Sequence, residues 1–211
     1  MGFKIKLSYI DTLVAITRYT TCINSQRQLA KHVVWFVGGP LRMVALLEGT
    51  KAPAVSLTSI DGSAYSLYQT LKESQLILLA FTKASCPVCQ LELPYLERLH
   101  RSYPNIPIWA VSQDDGDVTS GFAKMFGITF PMLLDLRLSS TVEYGLEFVP
   151  SLFLVGQDGT IRQTIVGFVK NDLEKLNLEL AMASGYSSKP LFTSADEVPA
   201  VKPGCASKQP V

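Results

Sequence analysis

Six consecutive apolar residues, Leu76 to Phe81 (LILLAF), run without interruption and lead within five residues to the pair Cys86-Pro87-Val88-Cys89. An unbroken apolar run of this length reads as a strand buried on both faces of a sheet. Directly after it the pattern becomes helical: Cys89, Leu93, Leu96, His100 and Tyr103 recur at i, i+4 and i+7 spacing. Proline is favoured at the first position of a helix, where its missing N–H has no partner to lose. Pro87 therefore marks the helix start and puts Cys86 at the cap, Cys89 one turn inside.

The strand–loop–helix unit is one of several. APAVSLTSIDGSAYSLYQTL reads as two short strands about an Asp61-Gly62 turn, then a helix near Ser66 to Glu73. After the cysteine helix come a strand (IPIWAVS), a helix (DVTSGFAKMFG, closed by Gly127), a short strand at Met132 to Leu134 and a brief helix near Ser139 to Tyr144. SLFLV and TIRQTIVG flank Gln157-Asp158-Gly159, a hairpin signal. A last helix spans Asn171 to Ala183, with Leu173, Leu176 and Leu180 on one face. Parallel strands need crossover helices and hairpins pair antiparallel, so this order specifies an α/β fold: a central mixed β-sheet flanked by helices on both faces.

The chain divides into an N-terminal extension (1–47), an α/β domain (48–184) and a tail (185–211). In the extension the longest apolar stretch, Val33 to Leu47, contains Arg42 and a Gly-Gly-Pro. It falls short of the roughly 20 apolar residues of a spanning helix. The first thirty residues also lack the basic-then-apolar order and small-residue cleavage site of a signal peptide. The extension reads as a loosely packed segment or the product of a start codon set too far upstream, with a peripheral membrane or packing role as the other reading, so membrane association stays open. The tail, SSKPLFTSADEVPAVKPGCASKQPV, is rich in proline and has almost no apolar periodicity, so it is expected to be disordered.

A formal net charge of +1, from 19 basic and 18 acidic residues without a basic block, excludes an electrostatically driven nucleic-acid binder. Four cysteines in 211 residues are too few for a disulfide scaffold. A zinc ribbon would show a second Cys-x-x-Cys, and there is none; Cys22 and Cys205 are isolated, and the two histidines are His32 and His100. The helix N-terminus stabilises negative charge through its free N–H groups and macrodipole, which favours a thiolate at Cys86. One turn of spacing lets the two sulfurs meet. Cys86 can then attack a disulfide and Cys89 can resolve the mixed disulfide. On spacing alone, two buried cysteines without chemistry remain the alternative.

CPVCQLELP resembles the active-site segment of thioredoxin-fold proteins, with a proline, here Pro94, five residues after the second cysteine. More narrowly it resembles the TlpA/ResA-type thiol–disulfide oxidoreductases of the redoxin group, whose pattern C-x-x-C-x-x-E-x-P is met by Glu92 and Pro94. The resemblance covers about residues 48 to 184, including VSQDD, FGITFPMLLD and FVPSLFLV. It implies a thioredoxin-like fold and a CPVC dithiol–disulfide couple acting mainly as a protein-disulfide reductase. Catalysis falls to Cys86 and Cys89, with Pro87, Glu92, Pro94, Val149 and Pro150 in support. Glu92 would tune proton transfer; a cis Pro150 would pack on the disulfide, and the Val149 backbone would pair with an incoming peptide. No cofactor is implied beyond the redox-active disulfide Cys86–Cys89. The implied partners are protein thiols and disulfides and an upstream dithiol donor. Location in the cell envelope or periplasm is implied as well, although the absence of a clear signal peptide leaves the cytoplasm open.

Departures from the family pattern bear on the partner. Ser85 stands where an aromatic residue precedes the first cysteine, and Ala80 where thioredoxin has a buried carboxylate. Lys83 reads as a solvated lysine, with support of the Cys86 thiolate as its second reading. Two other functions fit the same fold. A peroxiredoxin-like thiol peroxidase would need P-x-x-x-T-x-x-C, but Lys83 and Cys86 occupy the positions three before Cys86 and Cys89. A copper or assembly chaperone would need C-x-x-x-C with a distal histidine, and no histidine follows His100.

Overall fold

The computed structural model describes residues 45–210; the expectations for residues 1–44 lie outside the described residues. Strands β1 (Ser56–Thr58) and β2 (Ala64–Ser66) form a small antiparallel hairpin, followed by a single turn of helix, α1 (Leu67–Thr70). That turn is shorter than expected: Leu71 keeps a right-handed helical backbone, but beyond it the chain goes on in turns, with the Glu73 and Ser74 N–H groups both donating to the Thr70 carbonyl at 3.0 Å. Then come β3 (Leu76–Thr82), α2 (Pro87–Ser102), β4 (Ile108–Ser112), α3 (Gly116–Phe126), β5 (Met132–Leu134) and α4 (Ser139–Glu143). The second half holds β6 (Phe148–Val149), β7 (Ser151–Gly156), β8 (Ile161–Val166), β9 (Phe168–Val169) and α5 (Lys170–Ser184).

The central sheet has the order β5-β4-β3-β7-β8. β3, β4 and β5 run parallel, while β7 and β8 add antiparallel. The mixed sheet is therefore that expected from the element order. All seven residues of β3 are buried, as its unbroken apolar run requires of a central strand covered on both faces. β8, at the edge, alternates buried and exposed residues instead.

Helix α2 buries Val88, Cys89, Leu93, Leu96 and Leu99 against this sheet. Each fully buried leucine contributes roughly 1.5–3 kcal/mol of apolar transfer. Glu97, on the same helix, is buried with its carboxylate accepting from the Thr129 backbone N–H at 2.9 Å, the Thr129 hydroxyl at 2.7 Å and Arg101 at 2.7 Å. Helix α3 is capped by Asp115, which accepts from the Val118 N–H at 2.9 Å, and ends at Gly127 in the left-handed region (φ 62°). Among the described residues no helix is long and apolar enough to cross a membrane.

The tail corrects the sequence expectation. Residues 185–210 lie on the domain, contributing β10 (Val201–Lys202) and β11 (Cys205–Ala206). β10 pairs antiparallel with β9 and β11 with β6. Leu191 and Phe192 are buried, and the Phe192 ring lies 4.6 Å from that of Tyr95 and 5.8 Å from that of Phe168. Asp196 takes both guanidinium nitrogens of Arg98, at 2.8 and 2.9 Å. The physical reason is plain: a proline-rich chain without its own periodicity can still be ordered when another segment supplies its backbone partners and a pocket for its few apolar side chains. Leu46, at the end of the expected extension, is also buried, and its N–H donates to the Tyr144 carbonyl at 3.1 Å.

Candidate active site

β3 ends at Thr82, and the loop Lys83-Ala84-Ser85 delivers Cys86 to the cap of α2. The loop is held from two sides. The Ala84 N–H donates to Asp114 Oδ2 at 2.6 Å, and Gln90 Nε2 donates to the Ala84 carbonyl at 2.8 Å. Cys86 has extended backbone (φ −92°, ψ 112°), and its sulfur accepts from the Cys89 N–H at 3.3 Å, as a cap residue should. Pro87 occupies the first helical position. Pro94 lies inside α2, where it removes one backbone donor.

Across from this cap the Val149–Pro150 peptide bond is cis. The Val149 carbonyl oxygen lies 3.3 Å from Cys86 Sγ, where it accepts from the protonated thiol. Sequence reasoning placed Cys86, Cys89, Pro87, Glu92, Pro94, Val149 and Pro150 at one site; the structure joins Cys86, Cys89 and Val149 by direct hydrogen bonds. Cys86, Cys89 and Cys205 are free thiols.

The electrostatics separate the two cysteines of the pair. Cys86 is lowered to about 5, first because the Cys89 thiol donates to its sulfur. The Cys205 thiol and the backbone N–H groups of Cys89 and Cys205 add to this, against the opposing effect of burial. Cys89 is pushed far above the ordinary thiol range by burial and by donating to Cys86. At neutral pH the pair is one thiolate held by one thiol. Glu92, 1% exposed, is raised well above the usual carboxylate range by burial and then by the Cys86 charge. Its Oε1 has no hydrogen-bond partner. Ala80, where a carboxylate stands in thioredoxin, is a buried β3 residue, leaving Glu92 as the buried carboxyl that senses Cys86. Lys83 donates to the Ala206 carbonyl at 2.5 Å. Cys205 is raised above the ordinary thiol range, first by burial and then by donating to Cys86, with the Lys83 charge opposing. Ser85 is exposed, as is Pro87.

The family model of the AhpC/TSA family matches residues 49–164. The chain belongs to that family. Within this AhpC/TSA protein, sequence similarity extends to the thiol-disulfide oxidoreductase ResA of Geobacillus thermodenitrificans, 28% identical over 138 residues, covering 64% of this chain and 78% of the relative. It extends also to ResA of Halalkalibacterium halodurans, 26% identical over 183 residues, covering 84% of this chain and 94% of the relative. Among solved structures, the thioredoxin domain of a thiol-disulfide oxidoreductase from Bacteroides vulgatus superposes with a TM-score of 0.57 at 23% identity, covering 64% of this chain and 98% of that one. The peroxidoxin BcpB of Mycobacterium tuberculosis gives 0.56 at 17% identity, covering 67% and 99%. These likenesses carry the thioredoxin-like fold.

One residue of the AhpC/TSA protein's site was missed by sequence reasoning, which set Cys205 aside as isolated. Its sulfur lies 2.7 Å from Cys86 Sγ. No local pattern in the tail announces it, because the partner that positions Cys205 is β6, far away in sequence. Among the described residues no group of three or more His, Cys, Asp or Glu is arranged to hold a metal ion.

Proposed function

We propose that this chain is a thiol–disulfide oxidoreductase that reduces protein disulfides through the Cys86–Cys89 couple. The carrying observation is the split between the two cysteines: a thiolate at the helix cap, lowered to about 5, beside a thiol held protonated one turn in. The Cys86 thiolate attacks a substrate disulfide, one substrate sulfur leaves as thiolate, and a Cys86–substrate mixed disulfide forms. Cys89 then loses its proton and attacks Cys86 Sγ; the second substrate sulfur leaves and the Cys86–Cys89 disulfide closes. Glu92, protonated and buried beside the couple, holds a proton close to these transfers. The Val149 backbone offers the edge on which a substrate peptide pairs. The disulfide itself is the redox group, and an upstream dithiol donor restores it.

The peroxidase reading has less support, since Lys83 stands where the peroxidatic motif needs threonine. The test is dithiol-dependent insulin reduction. Cys86→Ser abolishes it, and Cys89→Ser accumulates mixed disulfides with the substrate. Full activity in the Cys86→Ser chain overturns the reading.

A further inference from the structure

The active site is occupied by the chain's own C-terminal strand. β11 pairs antiparallel with β6 in the register Cys205 opposite Val149 and Ala206 opposite Phe148. This is the backbone edge next to the Cys86 sulfur, and the strand places a third sulfur 2.7 Å from it. With the strand in place Cys86 is 0% exposed, so an external disulfide reaches the thiolate when the strand lifts from β6.

The docking is built from many specific contacts. Gly204 passes so close to β6 that a Cβ there would meet the Val149 carbonyl oxygen at 2.7 Å and Phe148 Cβ at 3.2 Å. Beyond the cysteine, Ser207 N–H donates to the Glu147 carbonyl at 2.9 Å, and Gln113 Nε2 donates to Ser207 Oγ at 2.6 Å. Lys208 pairs with Asp114 Oδ1 at 2.5 Å, the same carboxylate that holds the Ala84 loop. Upstream, Lys170 N–H donates to the Ala200 carbonyl at 2.9 Å. Cys205 is thus presented to Cys86 from both flanks.

We propose that Cys205 is a third redox-active cysteine, carried by the tail as a tethered substrate, which gives Cys86 a second disulfide partner inside the chain. This rests on the oxidoreductase reading of Cys86. In the oxidised protein Cys205 gives its proton to solvent and attacks Cys86 Sγ. The Cys86–Cys89 bond breaks, the Cys86–Cys205 bond forms, and the electron pair leaves on Cys89, which takes up a proton from solvent. The step is a disulfide isomerisation and changes no oxidation state overall. Its reverse, attack by Cys89, is the resolution that Cys89 performs on any substrate. Protein disulfides therefore compete with the tail for Cys86.

The test uses the full chain with Cys22→Ser and Cys89→Ser, oxidised by glutathione disulfide, quenched in acid, alkylated and mapped by mass spectrometry. Cys86 attacks the reagent and releases one glutathione; Cys205 displaces the second. The expected product is a monomer with a Cys86–Cys205 link and no bound glutathione. A tethered thiol acts at an effective concentration of the order of millimolar, so at ~0.1 mM free glutathione the link outweighs the glutathione adduct about tenfold. Adding Gly204→Val shifts the product to the Cys86–glutathione adduct. A persistent adduct with alkylated Cys205 in the parent, a link between two chains, or an undiminished link in the Gly204→Val chain overturns the proposal. If the Cys89→Ser chain does not fold, the Cys22→Ser chain with Cys89 retained is oxidised partway, and absence of any Cys86–Cys205 peptide overturns it equally. Insulin reduction by the unmodified chain separates the two readings. Activity without the link removes only the tethered-substrate role. The link without activity removes the reductase reading.

Discussion

Val149, the residue before the cis proline, is paired through its backbone with Cys205 of the same chain, and Cys86 lies within hydrogen-bond reach of both. The edge that a substrate peptide would use is filled in the resting protein. Cys86 is buried with the tail docked, so loosening the tail is expected to expose it.

Gly204→Val collides with the Val149 carbonyl and should loosen that pairing. Two lost backbone hydrogen bonds at about 1 kcal/mol each raise the open population by at least about tenfold. Iodoacetamide should modify Cys86 faster by that factor in the variant than in the unmodified chain. Equal rates would mean that the tail does not guard the thiolate.

Cys205→Ala removes a thiol that donates to the Cys86 sulfur. The Cys86 midpoint should then rise from about 5 toward the ordinary thiol value of about 8.5. Thiolate absorbance of the reduced protein against pH reads this directly. A midpoint that stays put assigns the lowering to Cys89 and the helix cap alone.

Glu92→Gln tests the buried carboxyl through stability. In the folded protein Glu92 is raised well above the carboxylate range, while in the unfolded chain it ionises near pH 4.3. Its contribution is fully present below that unfolded value and is lost as pH rises toward the folded value, at up to about 1.4 kcal/mol per pH unit. The glutamine variant, neutral throughout, should match the parent near pH 4 and exceed it progressively above pH ~5. Urea unfolding of both reduced chains across this range measures the difference. Parallel curves would show that Glu92 ionises in the folded state as it does in the unfolded one.

Much of this arrangement was legible in the sequence because local rules and tertiary context agree there. LILLAF is the central strand, Pro87 the first helical residue, and Cys86 the cap, as hydrophobic run and capping chemistry require. The tail was illegible for the opposite reason. Val201, Lys202, Cys205 and Ala206 carry no strand pattern, since their pairing is specified by β9 and β6 across the fold. Glu92 was visible as a motif residue, but helical spacing alone did not place it at 1% exposure. Leu191 and Phe192 look like an isolated apolar pair until Tyr95 and Phe168 are brought beside them.

Cys86 and Cys89 form one redox couple poised by the Cys86 thiolate. Its most direct test is a redox titration of the full chain with Cys22→Ser and Cys205→Ser, following alkylation of each cysteine by mass. Thiol acidities of about 7 and about 3.5 accompany potentials near −270 mV in thioredoxin and near −120 mV in DsbA. Cys86 is lowered to about 5 with the Cys205 thiol in place and less so without it, the Cys89 thiol being the larger cause, so both cysteines are expected to change state together in one two-electron transition, displaced from the DsbA value toward that of thioredoxin. Independent alkylation of Cys86 and Cys89, with no disulfide between them at any potential in that range, would contradict it.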